Sequence, residues 1–215
     1  RDWSAAESEC FFWCLGLHLG IPGAQNPRGD LLGHVRDEHK GGDIRLYETN
    51  QNIAFHCDAA DVVGLLCLHA AWRGGASRIA SSVTVFNELL RRSPARSERL
   101  FRPFHLDTHG EGNVRSVPVP PCRYAGGELR TFWHSDYFRS AERVPGVPAL
   151  TDDERALLDA YDAIAADPGI DAVYVQFGPM AQRGLEVARE AGAFRARAEK
   201  PVCFDSVSGS STTLR

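Results

Sequence analysis

A chain of 215 residues with 43% hydrophobic and 24% charged side chains is long enough for one sizeable domain and ordinary for a globular protein. A formal charge of −4, a pI near 6.1 and no Lys/Arg cluster interleaved with aromatics exclude an electrostatic case for nucleic acid. No apolar stretch approaches the roughly 18 residues of a membrane span, so no membrane role is expected.

The chain opens RDWSAAESEC, with neither Met nor a signal-peptide pattern, which reads as a fragment or a trimmed N-terminus. Residues 4–20, SAAESECFFWCLGLHLG, predict a helix. Ser4 caps it, Glu7 completes a capping box, Phe11, Leu15 and His18 share one side, and Gly20 ends it. The following stretch, rich in Gly, Pro and Asn, reads as loop, and IRLYET at 44–49 alternates like a strand. Residues 61–70 are short and almost uniformly apolar, which predicts a buried strand. WRGGAS makes a turn. RIASSVTVFNELLRR starts as strand and takes helical spacing from Ser82, through Val83, Phe86, Leu89 and Leu90. FRPFHLD, VRSVPVPPCRY and ELRTFWH read as strands joined by Gly-rich turns such as AGGE. Thr151 is the expected N-cap of TDDERALLDAYDAIAADP, with acidic residues 152–154 in its first turn and Asp167-Pro168 closing it. The tail changes character: DAVYVQFG and KPVCFDSVS are strand patterns around a helical GLEVAREAGAFRARAEK, a βαβ signature, and SGSSTTLR is polar.

Six cysteines, at 10, 14, 57, 67, 122 and 203, form no CxxC pair. They read as buried free thiols in a reducing, cytoplasmic setting.

The chemistry concentrates at FHCDAADVVGLLCLHA, residues 55–70. On a strand, i and i+2 point to one face, so His56 and Asp58 can offer an imidazole nitrogen and a carboxylate oxygen to one ion. A second histidine from elsewhere would complete a 2-His-1-carboxylate facial triad for Fe(II). The same two residues also fit a packed histidine beside a capping aspartate.

The run YETNQNIAFHCDAADVVGLLCLHAAWRGGASRIASSVTVFNELLRR resembles the core of the TauD/TfdA family of Fe(II)/2-oxoglutarate dioxygenases. FFWCLGLHLGIPGAQNPRGDLLGHVRDE before it and FWHSDYFRSAERVPGVPALTDDERALLDAYDAIAADP after it fit the same family, in the same order. The resemblance covers residues 8–168. It implies an α+β, mainly β fold, a double-stranded β-helix (jelly roll) with flanking helices. It implies that His56 and Asp58 are metal ligands, that Ser77 touches 2-oxoglutarate, and that Tyr47, Thr49 and Asn52 line the substrate pocket. The cofactor set implied is Fe(II) with 2-oxoglutarate as cosubstrate, acting on a small organic acid or amine.

One family feature is missing. The second metal histidine belongs far downstream, followed by an arginine for 2-oxoglutarate, yet the histidines stand at 18, 34, 39, 56, 69, 105, 109 and 134 and none follows His134. Arg189, Arg195 and Arg197 sit in no motif that would give them that role. Three arrangements remain open. The chain is an incomplete dioxygenase that diverges near Pro168, with a tail faintly like a CoA-ligase segment. Or a remodelled site draws on His134, His105 or water. Or the fold persists without iron, as a binding protein.

Other residues read as structural. His69 is a packed or rim residue, and His105 and His109 lie in a Gly-rich surface loop. His134 is structural or pocket-lining, and Trp72, Phe132 and Trp133 are core or pocket wall. The expected organisation is a dioxygenase domain over 1–168 and a βαβ-like tail over 169–215. Missing C-terminal strands would leave sheet edges open to aggregation or to a homo-oligomer unless the tail covers them.

Overall fold

The computed structural model describes residues 3–26, 28–35, 52–58, 60, 62–69, 77–110, 114–170, 173–175 and 201–208, with 77, 173–175 and 201–208 in main chain alone. They fall into two units, residues 1–53, 60–77 and 175–215 in one and 54–59 and 78–174 in the other.

In the first unit, α1 (Ala5–Leu19) has the predicted Ser4–Glu7 capping box and ends at Gly20. Its buried residues are Ser8, Phe12 and Gly16, four apart, so the buried stripe is not the expected Phe11–Leu15–His18 side. Phe11 is exposed because small Ser8 and Gly16 take the inner positions. Cys10 and Cys14 lie round the helix from that stripe and are exposed, which corrects the expectation of buried thiols. Phe12 packs with Leu32, Val62 and Leu66. The expected loop after α1 contains two short strands, β1 (Ile21–Pro22) and β2 (Gly33–Val35). β3 (Val62–His69) forms as predicted but is half-buried, with Val63 and His69 exposed.

β10 (Pro201–Ser208) is the central strand of this sheet. It runs parallel to β3, from Val202↔Val62 to Ser208↔His69, and parallel to β1 and β2. The tail strand therefore covers an edge of β3 that would otherwise be open to pairing. A shorter tail strand, β9 (Val173–Val175), pairs instead with β4 (Ser77–Ile79). The two tail strands thus take their described partners in different sheets. The helical tail segment, the strand at 44–49 and residues 72–76 of the WRGGAS turn lie outside the described residues, and its last residue, Ser77, opens β4.

The second unit builds its core from helices and hairpins. α2 (Ser82–Arg92), capped by Ser81, buries Val85, Phe86 and Leu89, whereas Val83 and Leu90 are exposed. α3 (Pro94–Glu98) follows, with Leu100 fully buried just beyond it. β5 (Phe104–Asp107) pairs antiparallel with β6 (Ser116–Val119), and β7 (Cys122–Ala125) with β8 (Glu128–Thr131). The AGGE turn joins the second pair. Gly126 at φ +63° and Gly127 at +79° supply the two positive φ values that a tight hairpin turn requires. α4 (Ser135–Ser140) precedes α5 (Asp152–Ala165). On α5, Leu157, Leu158, Tyr161, Ile164 and Ala165 recur at helical spacing and form one wall of the core with α2, Phe104, Trp133 and Phe138.

Thr151 caps α5 as predicted, and Glu154 reaches back to it. Glu154 also pairs with Arg99 at 2.6 Å. Thr151→Ala should therefore cost about 1 kcal/mol of stability, read as a lower urea midpoint with an unchanged slope.

Among the described residues the architecture is mixed α+β, with five α-helices and short strand pairs, and the described strands close no barrel. No described helix is long and apolar enough to cross a membrane.

Candidate metal centre

His56 and Asp58 belong to an irregular segment of the second unit, with a bend at Phe55, that is part of no sheet, so the expected strand is corrected here. Their alternation survives that change. Phe55 and Cys57 pack against the core, while His56 and Asp58 are exposed. The segment is held from two sides. Cys57 N–H donates to the Trp133 carbonyl at 2.7 Å, and the Arg78 guanidinium lies 5.3 Å over the Phe55 ring. Arg78 in turn donates to the Ala166 carbonyl, just past the end of α5, at 3.0 Å.

The His56 ring is oriented by its own main chain. Nδ1 stands 2.8 Å from the Ala54 carbonyl oxygen. A carbonyl only accepts, so Nδ1 carries the proton and Nε2 of the neutral ring carries the lone pair. That lone-pair nitrogen is 3.8 Å from Asp58 Oδ1. Two donors each about 2.1 Å from one ion stand about 3.0 Å apart at the right angle of a facial triad and about 4.2 Å apart only when opposite each other, so at 3.8 Å the pair must draw in by about 0.8 Å to ligate one first-row cation facially. A histidine tied through its other nitrogen to a backbone carbonyl is the usual arrangement of a metal-ligating imidazole. The pair supplies two of the three donor types a facial triad needs. Among the described residues, no group of three His, Cys, Asp or Glu side chains is placed to hold an ion.

The His134 ring centroid lies 5.0 Å from that of His56. His134 caps α4 with its main chain, and its ring stacks on Tyr137 at 3.6 Å. Of the two alternative histidines named from the sequence, the structure brings His134 beside the pair. His105 sits on β5 against Ser116.

Asn52 is exposed. Ser77 starts β4, and its side chain lies outside the described residues, as do Tyr47 and Thr49. The Cys122 thiol is buried and pushed up to about 12 by desolvation and by neighbouring Cys57, whose thiol is also raised by burial. These thiols are packing groups at neutral pH rather than nucleophiles. A cavity of about 200 Å3 between Arg99, Phe104, Phe138 and Leu150 has neither His56 nor Asp58 in its lining. It is smaller than the roughly 300 Å3 at which ordinary ligand pockets begin.

A second cluster was missed from the sequence. His105 and His109 were expected in a surface loop, but β5 carries His105, and Asp107 is buried at 2% exposure. Arg143 donates to Asp107 at 2.6 Å and 3.5 Å, and to His109 Nδ1 at 3.0 Å. His109 N–H donates to Asp107 at 2.9 Å from a left-handed backbone at φ +48°. The His109 ring lies 4.4 Å from Tyr137, the residue that stacks on His134. An H-x-D spacing at 105–107 was the available signal. Its arginine partner, 36 positions on, follows no local pattern.

Burial alone would raise the Asp107 carboxyl. Arg143, with the His109 amide and Ser140, outweighs that and holds it below its ordinary value. A carboxylate lowered on folding adds stability above its unfolded pKa of about 3.9 and loses it as pH falls through the folded value. The stability advantage of the wild type over Asp107→Asn should therefore be full at neutral pH. Urea midpoints should show it shrinking below about pH 4.

The chain is 32% identical over 181 residues to an FR-33289 synthase of Streptomyces rubellomurinus, covering 77% of this chain and 51% of that protein, so it spans about half the length of this relative. The taurine catabolism dioxygenase TauD, TfdA family matches residues 1–176. Members of that family generally use Fe(II) and 2-oxoglutarate. The match takes in His56, Asp58 and the core that holds them, and the chain belongs to the TauD/TfdA family of dioxygenases.

Proposed function

We propose that the protein is an Fe(II)/2-oxoglutarate-dependent dioxygenase that hydroxylates a small organic substrate and releases succinate and CO2. The observation that carries this reading is the 3.8 Å approach of His56 Nε2 to Asp58 Oδ1, with Nδ1 committed to Ala54, in a chain of this family. His56 and Asp58 hold the iron, and Ser77 contacts 2-oxoglutarate. Tyr47, Thr49 and Asn52 line the substrate pocket. When bound, Fe(II) with 2-oxoglutarate supplies the oxygen activation and the oxidation of a substrate C–H bond. The residues of the chain orient and exclude water. The Ala54 carbonyl keeps the His56 proton on Nδ1, so the ring enters the site already in its ligating tautomer. The jelly-roll fold, the boundary near Pro168 and a cytoplasmic setting go with this reading.

Anaerobic titration of the purified protein with Fe(II) and 2-oxoglutarate tests it. A weak visible charge-transfer band saturating near one iron per chain is the expected result. A folded protein that gives no band loses the dioxygenase reading and is left as a family fold that binds without iron.

A further inference from the structure

We propose that Asp162, on α5, is a positioning residue for the His56–Asp58 pair and acts through Trp133. The inference rests on the reading that this pair holds a metal.

The connection is short and made of directional bonds. Asp162 Oδ1 accepts the Trp133 indole Nε1–H at 2.8 Å. The Trp133 ring is 2% exposed and stacked on Tyr161 at 3.7 Å. The carbonyl of the same tryptophan accepts Cys57 N–H at 2.7 Å, and Cys57 stands between the two candidate ligands. Ring and carbonyl share one Cα. A ring fixed on its face by Tyr161 and at its edge by Asp162 anchors the Trp133 Cα, and the flanking main chain, held by Phe132 N–H on the Pro121 carbonyl and by the His134 cap of α4, restricts where the carbonyl points.

The tolerance at the far end is small. Two facial donors stand about 3.0 Å apart on one ion and this pair stands at 3.8 Å, so any displacement of the segment that widens the gap works against a shared ion. The segment 52–58 is part of no sheet, so the Cys57 tether carries positional weight that a strand would spread over a ladder. Asp162 is an expensive residue to keep there. Burial raises its carboxyl above the ordinary value, and Ser135, the Trp133 indole and Arg139, at 3.7 Å, offset that only partly. Its Oδ1 is committed to the indole rather than to a free ion pair. An acceptor, not a charge, is what the tryptophan requires.

Co(II) titration of the full chain, read by its visible d–d bands, tests this with four proteins. Against wild type, Trp133→Phe, which keeps the stack and the carbonyl but removes the N–H, should bind Co(II) about tenfold more weakly. Asp162→Leu should do the same. Asp162→Asn, whose amide oxygen still accepts, should stay within about twofold of wild type. Leu or Phe variants that bind as tightly as wild type overturn the proposal, as does an Asn variant as weak as the Leu one.

Amide hydrogen exchange at Cys57 reads the tether without any metal. It should quicken about tenfold in Asp162→Leu and Trp133→Phe but not in Asp162→Asn. If wild type binds no Co(II), the metal reading fails, and the exchange rates alone decide whether Asp162 holds the segment. Unchanged exchange in the Leu and Phe variants overturns it.

Discussion

Replacing His56 or Asp58 with alanine should abolish saturable Fe(II)–2-oxoglutarate binding while leaving the fold intact. Both side chains are exposed, and they make no contribution to the core that Phe55 and Cys57 enter from the same segment. Loss of either should therefore change the unfolding midpoint by no more than about 0.5 kcal/mol. The effect on metal is of another order. The outer partners of a metal site cost 10- to 100-fold when removed, so a directly bound donor should cost more than about 100-fold. The charge-transfer band and any metal-dependent turnover are then lost together. His56→Gln is the sharper variant, because it keeps a polar side chain of similar reach without an imidazole nitrogen. Retention of the band in either alanine variant moves the iron elsewhere, and the His56–Asp58 assignment fails.

What could be read in advance follows the range of the interaction. Ser4 with Glu7 and Thr151 with Glu154 are capping boxes, closed within three residues, and both form. The paired glycines at 126 and 127 announce a tight turn for the same local reason. The alternation at 55–58 was legible as two faces, although the strand that alternation normally implies is replaced by a segment hung from Trp133. The inner face of α1 was misread because hydrophobicity favours Phe11 and Leu15, whereas close packing selects small Ser8 and Gly16. The bonds that orient the candidate site lie beyond any local pattern. Cys57 to Trp133, Trp133 to Asp162 and Asp107 to Arg143 are directional contacts between distant positions, and no periodicity encodes them. The pairing of β10 with β3 is of the same kind, since two apolar strand patterns do not specify which neighbour each will take.

Arg143→Leu should be the most destabilising of the charge substitutions, by about 2–3 kcal/mol. Removing one partner of a wholly enclosed pair costs roughly 3–5 kcal/mol, because the remaining charge stays buried without compensation. Asp107 is enclosed, but 45% of the Arg143 side chain is exposed, and the His109 amide still donates to the carboxylate. The lower figure follows. For a chain of this length it corresponds to a fall in Tm of roughly 4–12 °C. The double variant Asp107→Asn/Arg143→Leu separates the two contributions. It removes the stranded charge, so it should recover more than half of the loss although it contains one more substitution. If the double variant is as unstable as Arg143→Leu alone, the cost lies in lost packing by the arginine stem rather than in the buried carboxylate. The same pair of variants bears on the site, because Arg143 also donates to His109, whose ring packs on Tyr137, and Tyr137 stacks on His134 beside His56. Their Co(II) affinities should follow the order of their stabilities if that stack is held as one piece, and should be indistinguishable if each ring is held separately.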